Sequence, residues 1–171
     1  MASGHIEVHN VSLTPSDPFR ALLHSSLAWQ DAHASLDSAL AGLPAKLRGA
    51  VAPGLPWSIW QIVEHMRRAQ HDIYDFCVNP DYKEMHFPDD YWPKSAEPES
   101  PNAWDESIAA IKKDVAALQD IAADTSRDLF GKIPHGSGQT YARELVLVVD
   151  HNAYHVGQIV ALRRLLGAWP S

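Results

Sequence analysis

The chain has 171 residues, of which 46% are hydrophobic and 20% charged, as is typical of a folded globular domain. Its 14 basic and 21 acidic residues give a formal net charge of −7, and this acidic balance argues against a nucleic-acid partner. The single cysteine, Cys77, excludes an intrachain disulfide. We expect one domain over 1–171, with residues 1–16 as an N-terminal extension and a helical bundle over about 17–169.

The N-terminal sequence MASGHIEVHN lacks the charged and then apolar pattern of a signal peptide. No uninterrupted apolar stretch reaches the ~18 residues that would suggest a membrane span. These two observations predict a cytoplasmic protein with no membrane partner.

Four segments show the apolar periodicity of helices, and none is convincing as a strand. The first is predicted to begin at the Asp17 cap before Pro18 and to continue to Gly42. Its apolar stripe contains Leu22, Trp29, Leu36, Leu40 and Leu43. The second helix is predicted over 57–78 and ends before Asn79-Pro80.

The third helix is predicted to open at Ser100-Pro101, and the fourth to run from a Thr140 cap to about Trp169-Pro170. The apolar stripe of the third helix contains Ile108, Ile111, Val115, Leu118 and Ile121. A proline-rich and acidic loop over 80–100 precedes it, and loops of this length are often functional. Four such helices predict an all-α four-helix bundle, although loop lengths alone leave its topology open.

The chain has ten histidines, and two of them, His151 and His155, stand one helical turn apart in the fourth helix. This spacing lets two imidazoles bind one cation. The sequence HNAYH has no glutamate after the first histidine, which excludes the HExxH metalloprotease pattern. The same spacing recurs at His5 and His9, where no helix is predicted, so the spacing alone is weak evidence.

A third ligand has to come from another helix, and the second helix offers His65 within an apolar stripe. A buried neutral His65 satisfied by one hydrogen bond is the simpler alternative. His71 lies on another side of that helix and is expected to be exposed. The remaining histidines stand alone and are not expected to be ligands: His24, His33, His86 and His135.

Polar residues on the ligand faces are candidates to orient the imidazoles, while each could equally meet solvent or cap a helix: Gln61, Asp72, Glu144 and Gln158. Tyr154 could contact a substrate or pack as an ordinary aromatic, and Cys77 points away from His65. The opposite face of the fourth helix is also apolar, which suggests a homodimer contact there or through the first helix. That face contains Val146, Val149, Ala153, Val156, Gly157 and Val160.

Four motifs together make the chain resemble the DinB-like (DinB/YfiT-like) family over about residues 17–169. They are PWSIWQIVEHM, DDYWP, GSGQTYARE and DHNAYHVGQIVALRRLLGAW. The resemblance implies an up-down-down-up bundle of four helices that is commonly dimeric. It also implies a divalent metal bound by His65, His151 and His155, the positions that match the three histidines of the family.

The resemblance implies a metal-dependent enzyme acting on a small molecule, since relatives include thiol-dependent S-transferases. Three imidazoles leave coordination positions open for water, a low-molecular-weight thiol or another substrate, so hydrolase chemistry fits equally. Zinc, nickel, copper, iron or manganese could occupy such a site, and the sequence does not choose among them. The alternative function is a non-catalytic metal-binding or stress-related bundle.

Overall fold

The computed structural model describes residues 17–28 and 32–170 and is built from helices. The helices are α1 Pro18–Ser26, α2 Leu36–Leu40, α3 Ile59–Val78, α4 Ala103–Ala123 and α5 Tyr141–Leu165, with a 3-10 turn at Ala45–Leu47. Within these ranges there are two isolated β-bridges and no strand. The all-α class predicted from the sequence is therefore confirmed.

The predicted first helix is wrong as a continuous element, because its residues form two short helices, α1 and α2. Asp17 caps α1 as expected, and its carboxylate accepts hydrogen bonds from the first turn. Ser35 then caps α2, and its hydroxyl accepts a hydrogen bond from the Ser38 amide at 3.1 Å. Serine side chains offer the backbone an alternative to helical hydrogen bonds, and here that alternative starts a new helix.

The three long helices begin close to the predicted positions. Ser58 and Gln61 form a reciprocal capping box at the start of α3, and the Thr140 hydroxyl caps α5. The α4 helix begins at Ala103, three residues after the predicted opening at Ser100-Pro101. The α5 helix ends at Leu165, short of the predicted end, because Gly167 adopts a positive φ of 66° that terminates the helix.

The core forms two apolar clusters at opposite ends of the α3, α4 and α5 helices. Between them, the buried Gln70 side chain of α3 joins all three helices through its amide. Its Nε2 donates to the Ile111 carbonyl of α4 at 2.7 Å, and its Oε1 accepts from Asn152 of α5, also at 2.7 Å. This buried polar bridge fixes the register of α5 beside α3, next to His151.

The α5 helix contacts each of the other four helices, yet part of its surface is open. The second apolar face predicted for this helix differs in burial along its length, since Val156 is buried in the core whereas Val146 is 50% exposed. By length and composition α5 could cross a membrane, alone among the helices of the described ranges, contrary to the sequence expectation. Core helices of soluble proteins meet the same criterion, so this finding is weak evidence for a span.

Candidate metal centre

Three histidines meet where the middle of α5 faces the first half of α3. His65 comes from α3, while His151 and His155 come from successive turns of α5. One nitrogen of each ring lies within 4.8 Å of one nitrogen of both others. His65 and His155 are 6% and 5% exposed, and His151 is half-buried. The structure thus brings together the three residues that the sequence singled out.

Hydrogen bonds to the outer ring nitrogens orient two of these imidazoles. The Nδ1–H of His65 donates to the main-chain carbonyl of Tyr91 at 3.1 Å. The Nδ1–H of His155 donates to Oε1 of Gln158 at 2.7 Å. Because Nδ1 carries the proton in both rings, each Nε2 keeps a free lone pair, as a metal ligand requires.

The spacing of the inner nitrogens fits coordination of one ion. Nε2 of His65 and Nε2 of His151 are 3.1 Å apart. An imidazole nitrogen lies about 2.0–2.1 Å from a bound zinc ion, so two nitrogens on one ion stand roughly 2.8–3.4 Å apart at coordination angles between about 90° and 110°. The observed separation falls within that range, and the donor set therefore fits a first-row divalent metal.

The burial of the site keeps its imidazoles neutral. Burial lowers the pKa of His65 to about 4 and that of His155 to about 4, and it also lowers the pKa of His151. A group whose pKa lies well below 7 is almost wholly deprotonated at neutral pH. The neutral rings can therefore donate lone pairs without first losing a proton to solvent.

The loop over 80–100 runs along α3. Five residues at regular intervals along α3 are hydrogen-bonded to this loop, and we call these five residues the α3 seam. The α3-seam residues follow one another at intervals of three or four, so they share one face of the helix. Four of them donate to main-chain carbonyls of the loop, and the fifth accepts from two of its tyrosines. The pairs are Ser58 with Ala96, Gln61 with Pro93, His65 with Tyr91, Arg68 with Asp90, and Asp72 with Tyr82 and Tyr91.

An aromatic stack covers the face of His65. The Trp92 ring lies parallel to the His65 ring, with centroids 3.8 Å apart and planes 2° apart. Trp57 stacks on the other side of Trp92 at 4.1 Å. The stack and the Tyr91 carbonyl together leave the His65 ring little freedom to rotate, which holds its Nε2 toward the α5 histidines.

The sequence model of the DinB superfamily matches residues 28–159, a range that contains all three histidines and the α3 seam. The chain belongs to the DinB superfamily. A search of curated proteins and a search of solved structures returned no match. The superfamily assignment thus rests on this match, and it agrees with the resemblance stated from the sequence motifs.

Among the orienting residues predicted for this DinB superfamily chain, only Gln158 hydrogen-bonds a candidate ligand directly. Gln61 donates to Pro93 and completes the α3 cap, so it acts on the loop. Asp72 binds two tyrosine hydroxyls, and Glu144 pairs with Arg143 at 2.7 Å. Asp72 is therefore linked to His65 only through Tyr91, whose hydroxyl donates to Asp72 and whose carbonyl accepts from His65.

Other histidines lie away from the centre within the described part of the chain. His71 is exposed, as predicted, and bonds Asp114 at 3.0 Å. The His5 and His9 pair lies outside the described residues. Tyr154 is 63% exposed and meets the His155 ring edge-on at 5.0 Å, so it is not packed in the core.

Glu64 precedes His65 in the sequence but faces α4. Burial alone would raise its pKa, but hydrogen bonds from Arg67, Ser107 and Arg68 lower the pKa to about 2. A carboxylate held so firmly in its charged form is a poor proton acceptor at neutral pH. Glu64 therefore stabilises the α3–α4 contact and takes no part in the candidate centre.

Sequence reasoning missed the loop side of the centre, namely the Tyr91 carbonyl and the Trp92 ring. A main-chain carbonyl carries no sequence signal, because every residue has one. The motif DDYWP was part of the family resemblance, but no contact between its tyrosine or its tryptophan and His65 was predicted. Its position 27 residues after His65 gave no indication that the two rings would stack.

Proposed function

We propose that this DinB superfamily chain is a metal-dependent enzyme in which His65, His151 and His155 bind one divalent ion. The proposal is supported chiefly by the 3.1 Å separation of two Nε2 atoms, together with the orientation of the His65 and His155 rings. Neutral, buried imidazoles with free lone pairs are what such an ion requires.

A divalent ion held by three imidazoles lowers the pKa of a bound water or thiol and polarises a bound oxygen. The residues of the chain have three roles around that chemistry. Gln158 and the Tyr91 carbonyl hold two imidazoles in the required tautomer, while Trp92 shields the His65 face from water. The absence of a fourth histidine, cysteine or acidic ligand within 4.8 Å, among the described residues, supports an open and reactive site.

The substrate is proposed to be a small molecule, and the reaction is either transfer of a thiol or hydrolysis. Both reactions would use the same three histidines, because a divalent ion held by them would acidify a thiol and a water in the same way. An assay that offers a low-molecular-weight thiol with an electrophile, and separately an ester or amide without thiol, distinguishes the two.

The test of the metal centre is elemental analysis of protein purified without a histidine tag. We expect about one divalent ion per chain in the wild type, and less than about 0.2 per chain after His151→Ala and His155→Ala together. His86→Ala is the matched control, since His86 is exposed and lies outside the centre. Metal content that is low in the wild type, or unchanged in the double variant, would reject the proposal.

The rival function is a non-catalytic bundle in which the histidines hold a structural metal or none. It predicts that alanine at the three histidines lowers the melting temperature without abolishing any activity in either assay. The enzyme proposal predicts loss of activity in the same variants. The loss should be larger than any fall in the folded fraction at the assay temperature.

We further propose that α1, α3, α4 and α5 are the helices of an up-down-down-up bundle within one domain. The contacts of α1 and α3 with both α4 and α5 support this arrangement. The exposed α5 face with Val146, Gly157 and Leu165 suits a homodimer in the cytoplasm, with no membrane or nucleic-acid partner. Sedimentation that shows only monomer at high micromolar concentration would contradict the dimer.

A further inference from the structure

A cleft of about 430 Å³ opens between the second half of α3 and the start of α5. We call it the α3–α5 cleft, and its chemically active lining is Asp72, Phe76, Tyr82, Glu84, Tyr91 and Glu144. Leu147, also in the lining, precedes His151 by one helical turn on α5. Tyr91 belongs to both sites, because its hydroxyl lines the cleft and its carbonyl binds His65.

The α3–α5 cleft has more negative than positive charge. Three carboxylates line it, from Asp72, Glu84 and Glu144, against one guanidinium, from Arg143, and one imidazole, from His135, whose Nε2–H donates to the Phe76 carbonyl. Arg143 is already paired with Glu144 at 2.7 Å, and its side chain is 58% exposed. The remaining acids have no cationic partner in the lining, so the cleft attracts a positively charged ligand.

The charge of Asp72 is held in place by the aromatic residues beside it. The Tyr82 and Tyr91 hydroxyls donate to its two oxygens at 2.8 and 2.7 Å. Burial, together with Asp72, raises the pKa of both phenols, which therefore remain donors. Phe76 meets the Tyr82 ring edge-on at 5.1 Å. Aromatic rings beside carboxylates are the surroundings that recognise an organic ammonium group.

A bare metal ion is a poor occupant for these carboxylates. In the described ranges, the three-histidine centre is the only set of three or more histidine, cysteine or acidic groups whose ligand atoms lie within 4.8 Å of one another. The acids of the α3–α5 cleft are therefore too far apart to surround an ion. An organic cation is larger and is attracted to separated charges and aromatic faces at once.

We propose that the α3–α5 cleft binds the cationic amine of the substrate on which the three-histidine centre acts. This inference rests on the proposed function of that centre. At 1.5 Å per helical residue, Leu147 lies about 6 Å along α5 from His151, and Asp72 lies about 10 Å along α3 from His65. The substrate is accordingly a small molecule whose ammonium group lies on the order of 6–10 Å from its reacting group.

The test is calorimetric titration of the metal-loaded full chain with choline and, separately, with its uncharged isostere 3,3-dimethylbutan-1-ol. We expect choline to bind at millimolar concentration and the isostere to bind at least about tenfold more weakly. Added salt should weaken choline binding, because the attraction to the cleft is electrostatic. Equal affinities, or no binding of choline, would overturn the proposal.

Two variants locate the binding site. Glu84→Gln removes an exposed charge, and Asp72→Asn keeps one oxygen to accept a tyrosine hydroxyl; each should weaken choline binding about threefold to tenfold. Asp120→Asn, exposed on α4 and outside the cleft, is the control and should leave the affinity unchanged. If Asp72→Asn fails to fold, Glu84→Gln decides alone. Wild-type affinity in Glu84→Gln would count against the site.

Failure of the cleft and failure of the metal centre give different results. The double variant His151→Ala, His155→Ala should lose metal but still bind choline, because neither residue lines the cleft. Choline binding in a chain that never holds metal would reject the enzyme proposal and its substrate, and leave the amine site standing. Metal binding with equal affinities for choline and the isostere would reject the amine site alone.

Discussion

The two helices that supply the histidines support them in different ways. On α3, His65 is held by two loop residues that follow it by more than 20 positions: the Tyr91 carbonyl accepts its hydrogen bond and the Trp92 ring covers its face. On α5, His155 is oriented within its own helix by Gln158, one turn away. The Nδ1 of His151 is buried and has no hydrogen-bond partner among the described residues.

This difference indicates which contacts position the ligand nitrogens. The distance between His151 and His155 is fixed by helical spacing, which is local and does not depend on residues elsewhere in the chain. The orientation of His65 depends on the α3 seam, whose hydrogen bonds all join residues distant in the sequence. We therefore expect the loop to control the centre more strongly than any residue of α5 outside the two histidines.

Removing the stack on His65 should have the largest effect. Trp92→Ala deletes a half-buried ring between His65 and Trp57, so we expect the free energy of unfolding to fall by about 2–3 kcal/mol. Metal affinity should fall about thirtyfold to a hundredfold, more than for any α5 residue outside the two histidines, because the His65 ring is freed. Denaturant unfolding of metal-free protein and competition with a chelating dye measure the two effects.

Trp92→Phe is the matched control for that substitution. It keeps an aromatic ring against His65 and should recover most of the metal affinity. If Trp92→Ala binds metal as tightly as the wild type, the α3 side does not depend on the stack. The stack of Trp92 on His65 would then affect the free energy of unfolding and not the metal affinity.

The second prediction compares the caps of the two helices. Ser58 caps α3 and also donates to the Ala96 carbonyl at 2.6 Å, whereas Thr140 only caps α5. We expect Ser58→Ala to cost about 2 kcal/mol of unfolding free energy and Thr140→Ala to cost about 0.5–1 kcal/mol. If denaturant unfolding shows equal losses of unfolding free energy in the two variants, the hydrogen bond from Ser58 to the Ala96 carbonyl does not contribute to stability.

Much of the site could be predicted from sequence because its determinants are local or carried by motifs. The α5 pair followed from spacing, and the cap of α5 followed from Thr140. The role of Gln158 followed from its place one turn after His155. The choice of His65 as the third residue came from the family resemblance, and the structure places it beside the pair.

The rest could not be predicted, because it depends on pairings between distant residues. The start of α2 at its Ser35 cap reflects a competition between serine hydrogen bonds and helix continuation, which periodicity does not register. The α3 seam uses main-chain carbonyls of a loop with no repeating pattern. The α3–α5 cleft depends on how α3, α5 and two loops meet, which a single sequence does not specify.

On the α5 side, Gln158→Ala should act on metal affinity more than on folding. It removes the acceptor that holds the His155 tautomer, so we expect about a tenfold loss of metal affinity, or about 1.4 kcal/mol. Gln158→Glu keeps an acceptor in the same place and should restore the affinity. A loss as large as that of Trp92→Ala would mean that the two sides contribute equally.

The smallest effect is expected at Cys77, which lies near the C-terminal end of α3, beyond the last residue of the α3 seam. It is 2% exposed, and burial raises the pKa of its thiol to about 12. Twelve residues of helix separate it from His65, about 18 Å along the axis, so it is neither ligand nor nucleophile. Cys77→Ala should leave metal content unchanged and cost about 1 kcal/mol of unfolding free energy, from the small cavity created.

Alkylation kinetics check the same assignment without mutation. At pH 8 the Cys77 thiol of folded protein should resist iodoacetamide and react promptly once denaturant unfolds the chain, because the thiolate is the reactive form. Prompt alkylation of folded protein would show that this end of α3 opens readily. In that case the C-terminal end of α3 would unfold locally while the α3 seam stayed folded. The comparison of α3 with α5 would then have to include how often each helix opens.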